Sequence, residues 1–436
     1  MDIDTTSLRA ACADLNGQMR GKRLPADEAA KLEFSGMRMP LSVMNVDLWG
    51  ADIEGSPLVF ESGDADGQLR VTDRGPVAMP WLEQASTLVP MWMFYDDGRP
   101  FEVDPRHALG QVLAGYARRG WKVIAATELE FTLIEPSGDT PHPAGWTISG
   151  DIPYSAACSI DALDRHAAFF DDLYAGAEAM DIAIKAAVSE TGVGQFEINL
   201  SHGPAMRVAD DTWLFKSLVR GMAHRHGLSA TFMAKPFEGD AGNGLHLHMS
   251  VEDRAGRNLF DNGLMSGSPL LRQAVAGCLS TMPGATLIFA PHGNSYDRIT
   301  PGAHAPTGAA WGYENRTTAI RIPGGDPAAR RLEHRVAGGD TNPYLVIAAI
   351  LGGALMGIED NLSPPEPVIG NAYSQRVLQF PTDWDGAIER FSISPRMKRI
   401  FPETLIENFT LTKRQEQRRT APLKDEALRR TMLELL

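Results

Sequence analysis

Residues two apart on a β-strand share one face, and four segments of this chain use that spacing to gather cation-binding groups. TELEFTL sets Glu128 beside Glu130, and GQFEINL carries Glu197 shortly after Glu190. GLHLHMS aligns His246, His248 and Ser250, while RRLEHRV aligns Arg331, Glu333 and Arg335. Any one of these faces also fits the solvent side of a half-buried sheet. Taken together, carboxylates on strands flanked by Leu, Ile, Phe and Val would repel one another unless cations neutralised them. Oxygen-rich donors of this kind favour Mg²⁺ or Mn²⁺.

Arg298, Arg316, Arg321, Arg331 and Arg335 crowd into one stretch of an otherwise acidic chain. Guanidinium forks grip phosphate or carboxylate bidentately, so arginines beside a carboxylate–cation site suggest phosphates and an acid substrate held together. Surface ion pairs within RRLEHR are the other reading. The chain lacks the phosphate loops G-x-x-x-x-G-K-[ST] and G-x-G-x-x-G. It also lacks H-E-x-x-H and G-x-S-x-G, which weakens metalloprotease and serine-hydrolase readings. What remains is metal-assisted phosphoryl transfer without a P-loop.

The elements that must hold these groups follow from the apolar pattern. PRHALGQVLAGYARRG predicts a helix ending at Gly120, and residues 121–135 predict a long strand. Residues 136–159 form a Pro/Gly-rich loop, and Leu163, Ala167, Phe170, Tyr174 and Ala177 mark an amphipathic helix. Further helices are expected over 212–226, over 343–358 as a buried helix opened by Pro343, and from about 384 onward. Earlier in the chain, short β-like pieces such as MPLSVMNVDLW (39–49) alternate with turns. The pattern divides the chain into a small β-rich domain, 1–103, and a larger domain, 104–436.

Over 436 residues, 41 Lys+Arg face 55 Asp+Glu for a net charge of −14, a poor match to nucleic acid or an anionic membrane. The apolar run at 343–358 is shorter than the roughly 20 residues a spanning helix needs. Cys12, Cys158 and Cys278 are scattered, which suits packing thiols in a reducing compartment. The first residues, MDIDTTSLRAACADLNGQMRGKR, lack a basic-then-apolar leader, so the expected location is the cytoplasm.

In order and spacing, TELEFTL, SETGVGQFEINL, GNGLHLHMSV, NSYDRITPGAHAP, ENRTTAIRIP and RRLEHRVAGGDTNPYL resemble the glutamine synthetase family. WGYENRTTAIRIPGGD and EHRVAGGDTNPYLVIAAI are most similar to its gamma-glutamylpolyamine branch. The resemblance implies an α+β fold: an N-terminal β-grasp domain, then a catalytic domain with a curved antiparallel sheet and surrounding helices. It implies active sites between subunits of two stacked hexameric rings. It also implies a carbon–nitrogen ligase that uses ATP to join the γ-carboxylate of L-glutamate to a primary amine through γ-glutamyl phosphate. Putrescine or another polyamine is the favoured acceptor; ammonia, a small monoamine, or a catalytically silent sensor are the alternatives.

Matched motif to motif, Glu130, Glu190 and Glu197 resemble the ligands of one divalent ion, and Glu128, His246 and Glu333 those of another. His248, Ser250, Arg321 and Arg331 fall on ATP, while Glu190, Gly242, His246, Arg298 and Arg335 fall on glutamate. Arg316 falls on the transferring phosphoryl group. Four departures stand out. His304, in PGAH, replaces the ammonium-binding glutamate of the family's P-G-Y-E loop. An imidazole with a pKa of roughly 6.5 attracts ammonium poorly at neutral pH yet suits a general base for a primary amine. Asp47, in MNVDLWG, falls where a neighbouring subunit supplies an acceptor-side aspartate, and fits a turn cap equally well. Ala241 stands where the family has a glutamate-binding asparagine, with Asn243 as the substitute. Ser363 replaces the adenylylated tyrosine, so that switch is expected to be absent. Asp297 and Glu314, the acids near the acceptor loops, are expected at the surface.

Overall fold

The computed structural model describes residues 5–136, 141–145, 156–303 and 305–436; His304 and much of the loop expected at 136–159 lie outside these. The first hundred residues build a six-stranded sheet from β1 (Ser7–Ala13), β2 (Met19–Pro25), β3 (Met37–Pro40), β4 (Asp66–Val71), β5 (Val77–Ala78) and β6 (Ser86–Phe94). Its order is β2-β1-β6-β4-β3, with β5 on β6 and a parallel β1–β6 pair, and helix α1 (Ala29–Ser35) follows the first hairpin. Only the start of the segment at 39–49 is strand: Pro40 has no amide hydrogen for the ladder, and Leu41–Met44 coil into a 3-10 turn.

Helix α2 (Pro105–Ala117) starts where Asp104 accepts hydrogen bonds from the amides of Arg106 and His107, with Pro105 in the first turn. Then comes β7 (Lys122–Glu135), the fourteen-residue spine of a ten-stranded sheet. The chain continues through β8 (His142–Pro143), α3 (Ile160–Asp164), α4 (Ala167–Ala179), β9 (Ile184–Ser189), β10 (Gln195–Leu200), β11 (Gly203–Pro204), α5 (Ala205–Arg225), β12 (Ser229–Thr231) and β13 (Leu245–Glu252). Next are α6 (Pro269–Phe289), α7 (Ser295–Arg298), β14 (Gly308–Ala309), β15 (Trp311–Tyr313), β16 (Ile320–Ile322), β17 (Leu332–His334) and α8 (Pro343–Glu359). After β18 (Leu378–Gln379), which pairs with β14, come α9 (Trp384–Ile393), α10 (Pro395–Ile400), α11 (Glu403–Thr420) and α12 (Asp425–Leu435). The large sheet runs β15-β16-β17-β13-β7-β10-β9, all antiparallel except the β15–β16 pair, with β8, β11 and β12 also pairing with β7.

Helix α5 starts at Ala205 rather than near 212 because its polar first turns are paired internally. Asp210, almost fully buried, accepts from Arg106 Nε at 2.9 Å and from the Tyr344 hydroxyl at 2.8 Å. Helix α8 is buried from Pro343 to Ile358 and is capped by Asn342. It crosses α6 so closely that a Cβ at Gly277 would meet Gly353 O at 2.1 Å and Gly357 Cα at 2.7 Å, so only glycine fits there. Among the described residues no helix is long and apolar enough to cross a membrane. Cys12 and Cys278 are buried as expected, whereas Cys158 is exposed.

Candidate active site

Strand register brings the cation-binding side chains together. Glu197 on β10 lies directly opposite Glu130 on β7, and Glu128 on β7 lies opposite His246 on β13. His248 is opposite Glu333 on β17, and Glu333 is opposite Arg321 on β16. Directly opposed residues project from the same face, so one face of five neighbouring strands carries the whole row. Donor atoms of Glu128, His246 and Glu333 lie within 4.8 Å of one another, as do those of Glu130, Glu197 and His246. The first set is the one expected for one ion; in the second, His246 stands within range where Glu190 was expected.

Histidine–carboxylate bonds order half of the row. Arg331 Nε donates to His248 Nδ1 at 3.1 Å, which leaves His248 Nε2–H to donate to Glu128 Oε1 at 2.9 Å. His246 Nδ1 sits 3.2 Å from Glu128 Oε2. Burial pushes Glu128 up, but these two histidines prevail and hold it well below the usual carboxylate range. Burial likewise opposes Arg335, His246 and His248 at Glu333, and they win, lowering it.

The other half of the row is not balanced in this way. Burial, and then the charges of Glu128, Glu130 and Glu190, push Glu197 up to about 9. Burial and then Glu130 push Glu190 up to about 7, with Arg316 pulling the other way. Such raised values mark carboxylates that lack a counter-charge. A divalent cation supplies one, and carboxylate oxygens with one imidazole are a fitting donor set for Mg²⁺ or Mn²⁺.

A cleft of about 1220 Å³ opens beside Glu128, lined by Ile124, His248, Ser250, Asn258 and Arg331 among others. The arginines ring the row. Arg321 Nη1 donates to Glu333 at 2.8 Å, and Arg335 bonds the other Glu333 oxygen. Arg298 is buried and donates to Val336 O at 2.9 Å. Arg316 is exposed on the turn after β15, near enough to Glu190 to lower it. Gly242 lies against Arg298; a Cβ there would meet Ala234 O at 2.3 Å and Arg298 Cγ at 3.1 Å. No bulkier residue fits.

One expectation changes. Asn243 does not substitute for the missing asparagine, because it is fully buried, with Nδ2 donating to Met233 O at 3.0 Å and Oδ1 engaged by Thr132 and Gln195. Within the subunit Asp47 stands apart from the row as a buried turn cap. It accepts from the amides of Trp49 and Ala51 and from Gln415 and Arg419. Glu314 is exposed as expected, yet it is tied to Arg321 and to the Gly324 amide, so it neutralises an arginine rather than facing an incoming amine. Asp297 is exposed. The sequence reading passed over Gln195 and Asn199. Gln195 bridges Gly242 O at 2.9 Å, and Asn199 donates to Glu197 at 2.9 Å. Their place on β10 beside Glu197 was the available signal.

Residues 102–429 match the family model described as glutamine synthetase, catalytic domain. Gamma-glutamylputrescine synthetase PuuA of Escherichia coli (strain K12) is 37% identical over 402 residues, covering 89% of this chain and 84% of that protein. Glutamate–isopropylamine ligase of a Pseudomonas species is 30% identical over 423 residues, covering 94% and 91%. A solved GmaS/ADP complex superposes with a TM-score of 0.84 at 29% identity, over 99% of this chain and 97% of that one. On this sheet face, this extent of match and these relatives, the chain belongs to the glutamine synthetase family.

Proposed function

We propose that the chain is an ATP-dependent ligase that joins the γ-carboxylate of L-glutamate to a primary amine, with putrescine or another polyamine as the favoured acceptor. The observation that carries this reading is the row of acids and histidines placed between a large cleft and a ring of arginines. Two relatives with glutamate–amine ligase names, for putrescine and isopropylamine, support it.

In this reading ATP lies in the cleft, its phosphates met by His248, Ser250, Arg321 and Arg331. Divalent cations held by Glu128, His246 and Glu333, and by Glu130, Glu190 and Glu197, would neutralise phosphate charge. Arg298, Arg335 and the backbone at Gly242 take the carboxylates of glutamate, with Glu190 and His246 beside them. The γ-carboxylate attacks the terminal phosphorus of ATP and ADP leaves with the bridging oxygen, while Arg316 meets the charge on the transferring group. An amine then displaces phosphate from the acyl carbon, its proton leaving to a base for which His304 is our candidate. Asp47 of a neighbouring subunit keeps its proposed acceptor-side place only in a ring assembly.

We assign the N-terminal sheet, with its hairpin beside a parallel central pair, to a β-grasp domain over 1–103, followed by a catalytic domain over 104–436 with a curved sheet. Two stacked hexameric rings and a cytoplasmic location complete the proposal. The test is ADP release with ATP, Mg²⁺ and L-glutamate against ammonium, methylamine, ethanolamine, isopropylamine, aniline, putrescine, cadaverine and spermidine. A strong response to one amine class with little from ammonium is expected. Dominant ammonium turnover would make the enzyme a glutamine synthetase, and silence with every amine would favour a sensor.

A further inference from the structure

Residues 362–369, after α8, belong to no helix or strand. Pro364, Pro365 and Pro367 lack the amide hydrogens that a sheet ladder needs. This strap is held instead by groups on β15 and on the turn that carries Arg316. Trp311 Nε1 donates to Pro365 O at 2.7 Å, and the Val368 amide donates to Trp311 O at 2.8 Å. A Cβ at Gly312 would meet Val368 O at 2.8 Å and Asn315 Cβ at 3.1 Å, so a glycine there leaves the room in which the strap approaches Asn315.

Asn315 is the centre of this attachment. Its Nδ2 donates to Val368 O at 3.1 Å and to Gly370 O at 2.8 Å, while Oδ1 accepts from the Thr317 amide at 3.0 Å and from Thr317 Oγ1 at 2.7 Å. Carbonyls only accept and a backbone N–H only donates, so these partners fix which way the Asn315 amide points. Thr317 Oγ1 accepts in turn from the Ala372 amide at 3.0 Å. Arg316 therefore sits between two residues whose side chains are both tied to the strap. Just before them, Glu314 takes a left-handed φ of 50° and engages the Gly324 amide and Arg321. The Arg316 side chain is exposed, so the backbone beneath it, not packing, fixes where it starts.

We infer that Asn315 is a positioning residue for phosphoryl transfer: by locking its turn to the strap at 365–372, it holds Arg316 where the transferring group develops charge. The inference rests on the ligase reading and gives that step a residue that touches no substrate. An arginine that acts on the transition state has to be placed in advance, since a contact made equally with the ground state changes binding and not rate. Losing the Asn315 bonds frees the turn from the strap, so Arg316 samples positions in which it no longer meets the phosphoryl group.

The test uses Asn315→Ala, which removes all four bonds, and Thr317→Val, which keeps the shape and removes the hydroxyl bonds. Ser374→Ala, which loses only a bond to Asn371 O further along the chain, is the control. The rate of ADP formation in a single turnover is followed with ATP, Mg²⁺, L-glutamate and the amine that responds most strongly in the panel above. Asn315→Ala should lower this rate by about 10- to 10²-fold, the scale on which about 1 Å of misplacement acts, and Thr317→Val by less. KM for ATP and for glutamate should stay at wild-type values in both, and Ser374→Ala should match wild type throughout. In an Arg316→Ala background neither change should slow the reaction further. Wild-type rates in both variants, a rise in KM without loss of rate, or an equally large loss in the Arg316→Ala background would overturn the inference. If wild type forms no ADP with any amine, the ligase reading falls, and binding of MgADP with and without tetrafluoroaluminate, a mimic of the transferring phosphoryl group, decides Asn315. A gain in affinity from the mimic that wild type shows and Asn315→Ala lacks upholds the inference, and equal affinities in the two proteins refute it.

Discussion

Two buried charged clusters in this chain are built on opposite terms. Where α11 meets the N-terminal sheet, every carboxylate oxygen has a donor. Glu416 Oε1 accepts from Asn16 Nδ2 at 2.7 Å and from the Leu48 amide at 3.1 Å, while Oε2 accepts from Lys413 Nζ at 2.9 Å. Lys413 and Glu416 are fully buried. On the catalytic sheet, Glu197 accepts from Asn199 and faces Glu130 directly across the ladder, a like-charge pairing that costs stability. A matched cluster needs nothing further from outside. In the proposed reading an unmatched one is held by the rest of the fold for a counter-charge that arrives with ligand, and imbalance, rather than charge density, is then the mark of a site.

The sharpest way to break the comparison is to unbalance the matched cluster. Lys413→Met leaves Glu416 buried without its cation, and a buried pair stripped of one partner costs about 3–5 kcal/mol. Urea unfolding should show that loss, and Lys413→Met combined with Glu416→Gln should recover part of it. A loss below about 1 kcal/mol would mean that the cluster tolerates imbalance and that the contrast with the site is empty.

The converse change is made at Glu197. Glu197→Gln removes a carboxyl whose ionised form is opposed by burial and by its acidic neighbours, so the melting temperature without added metal should hold or rise. Turnover should fall by about 10²–10³, the scale for losing one electrostatic contact to a transition state. Wild type at a Mg²⁺ concentration of 100 Kd gains about 2.7 kcal/mol of stability, and the variant should lose most of that gain. Destabilisation of metal-free Glu197→Gln would place this residue with the scaffold.

The same contrast decides what the sequence could reveal. The unmatched cluster sits on strands whose period of two is written in TELEFTL, GQFEINL, GLHLHMS and RRLEHRV, so spacing marks its members as candidates beside the reading of a solvent-facing sheet, the resemblance gives them roles, and register sets them opposite one another. Helix α8 was equally legible, because an unbroken apolar run after Asn-Pro has few other solutions. The matched cluster was not legible: Asn16 and Lys413 are 397 residues apart, and no local pattern links them. Asn243 differs from its sequence expectation for a related reason. Its neighbours in sequence line the site, but its side chain is claimed by Thr132 and Gln195 from other strands. The early start of α5 was hidden because Asp210 looks solvent-facing until Arg106 is brought to it.

Asp14 provides the finest division between matched and satisfied, because its donors are complete and its charge is still strained. It lies in the β1–β2 turn, where Oδ1 accepts from the amides of Asn16 and Gln18 at 2.9 Å and Oδ2 from Arg20 Nε at 2.7 Å. Burial outweighs Arg20 and the two amides and pushes the carboxyl from 3.8 up to about 6. A folded value above the unfolded one means that the native state binds the extra proton between these limits, so stability declines as pH rises through that window. The full displacement amounts to about 3 kcal/mol at most. Asp14→Asn keeps the acceptor for both amides and cannot titrate. Unfolding free energies of the two proteins, compared by urea titration from about pH 4 to pH 6.5, should therefore diverge, with wild type losing ground to the variant as pH rises. A constant difference across the window would show that three donors fully offset burial at Asp14, and hydrogen-bond completeness alone would then suffice to tell a structural acid from a functional one.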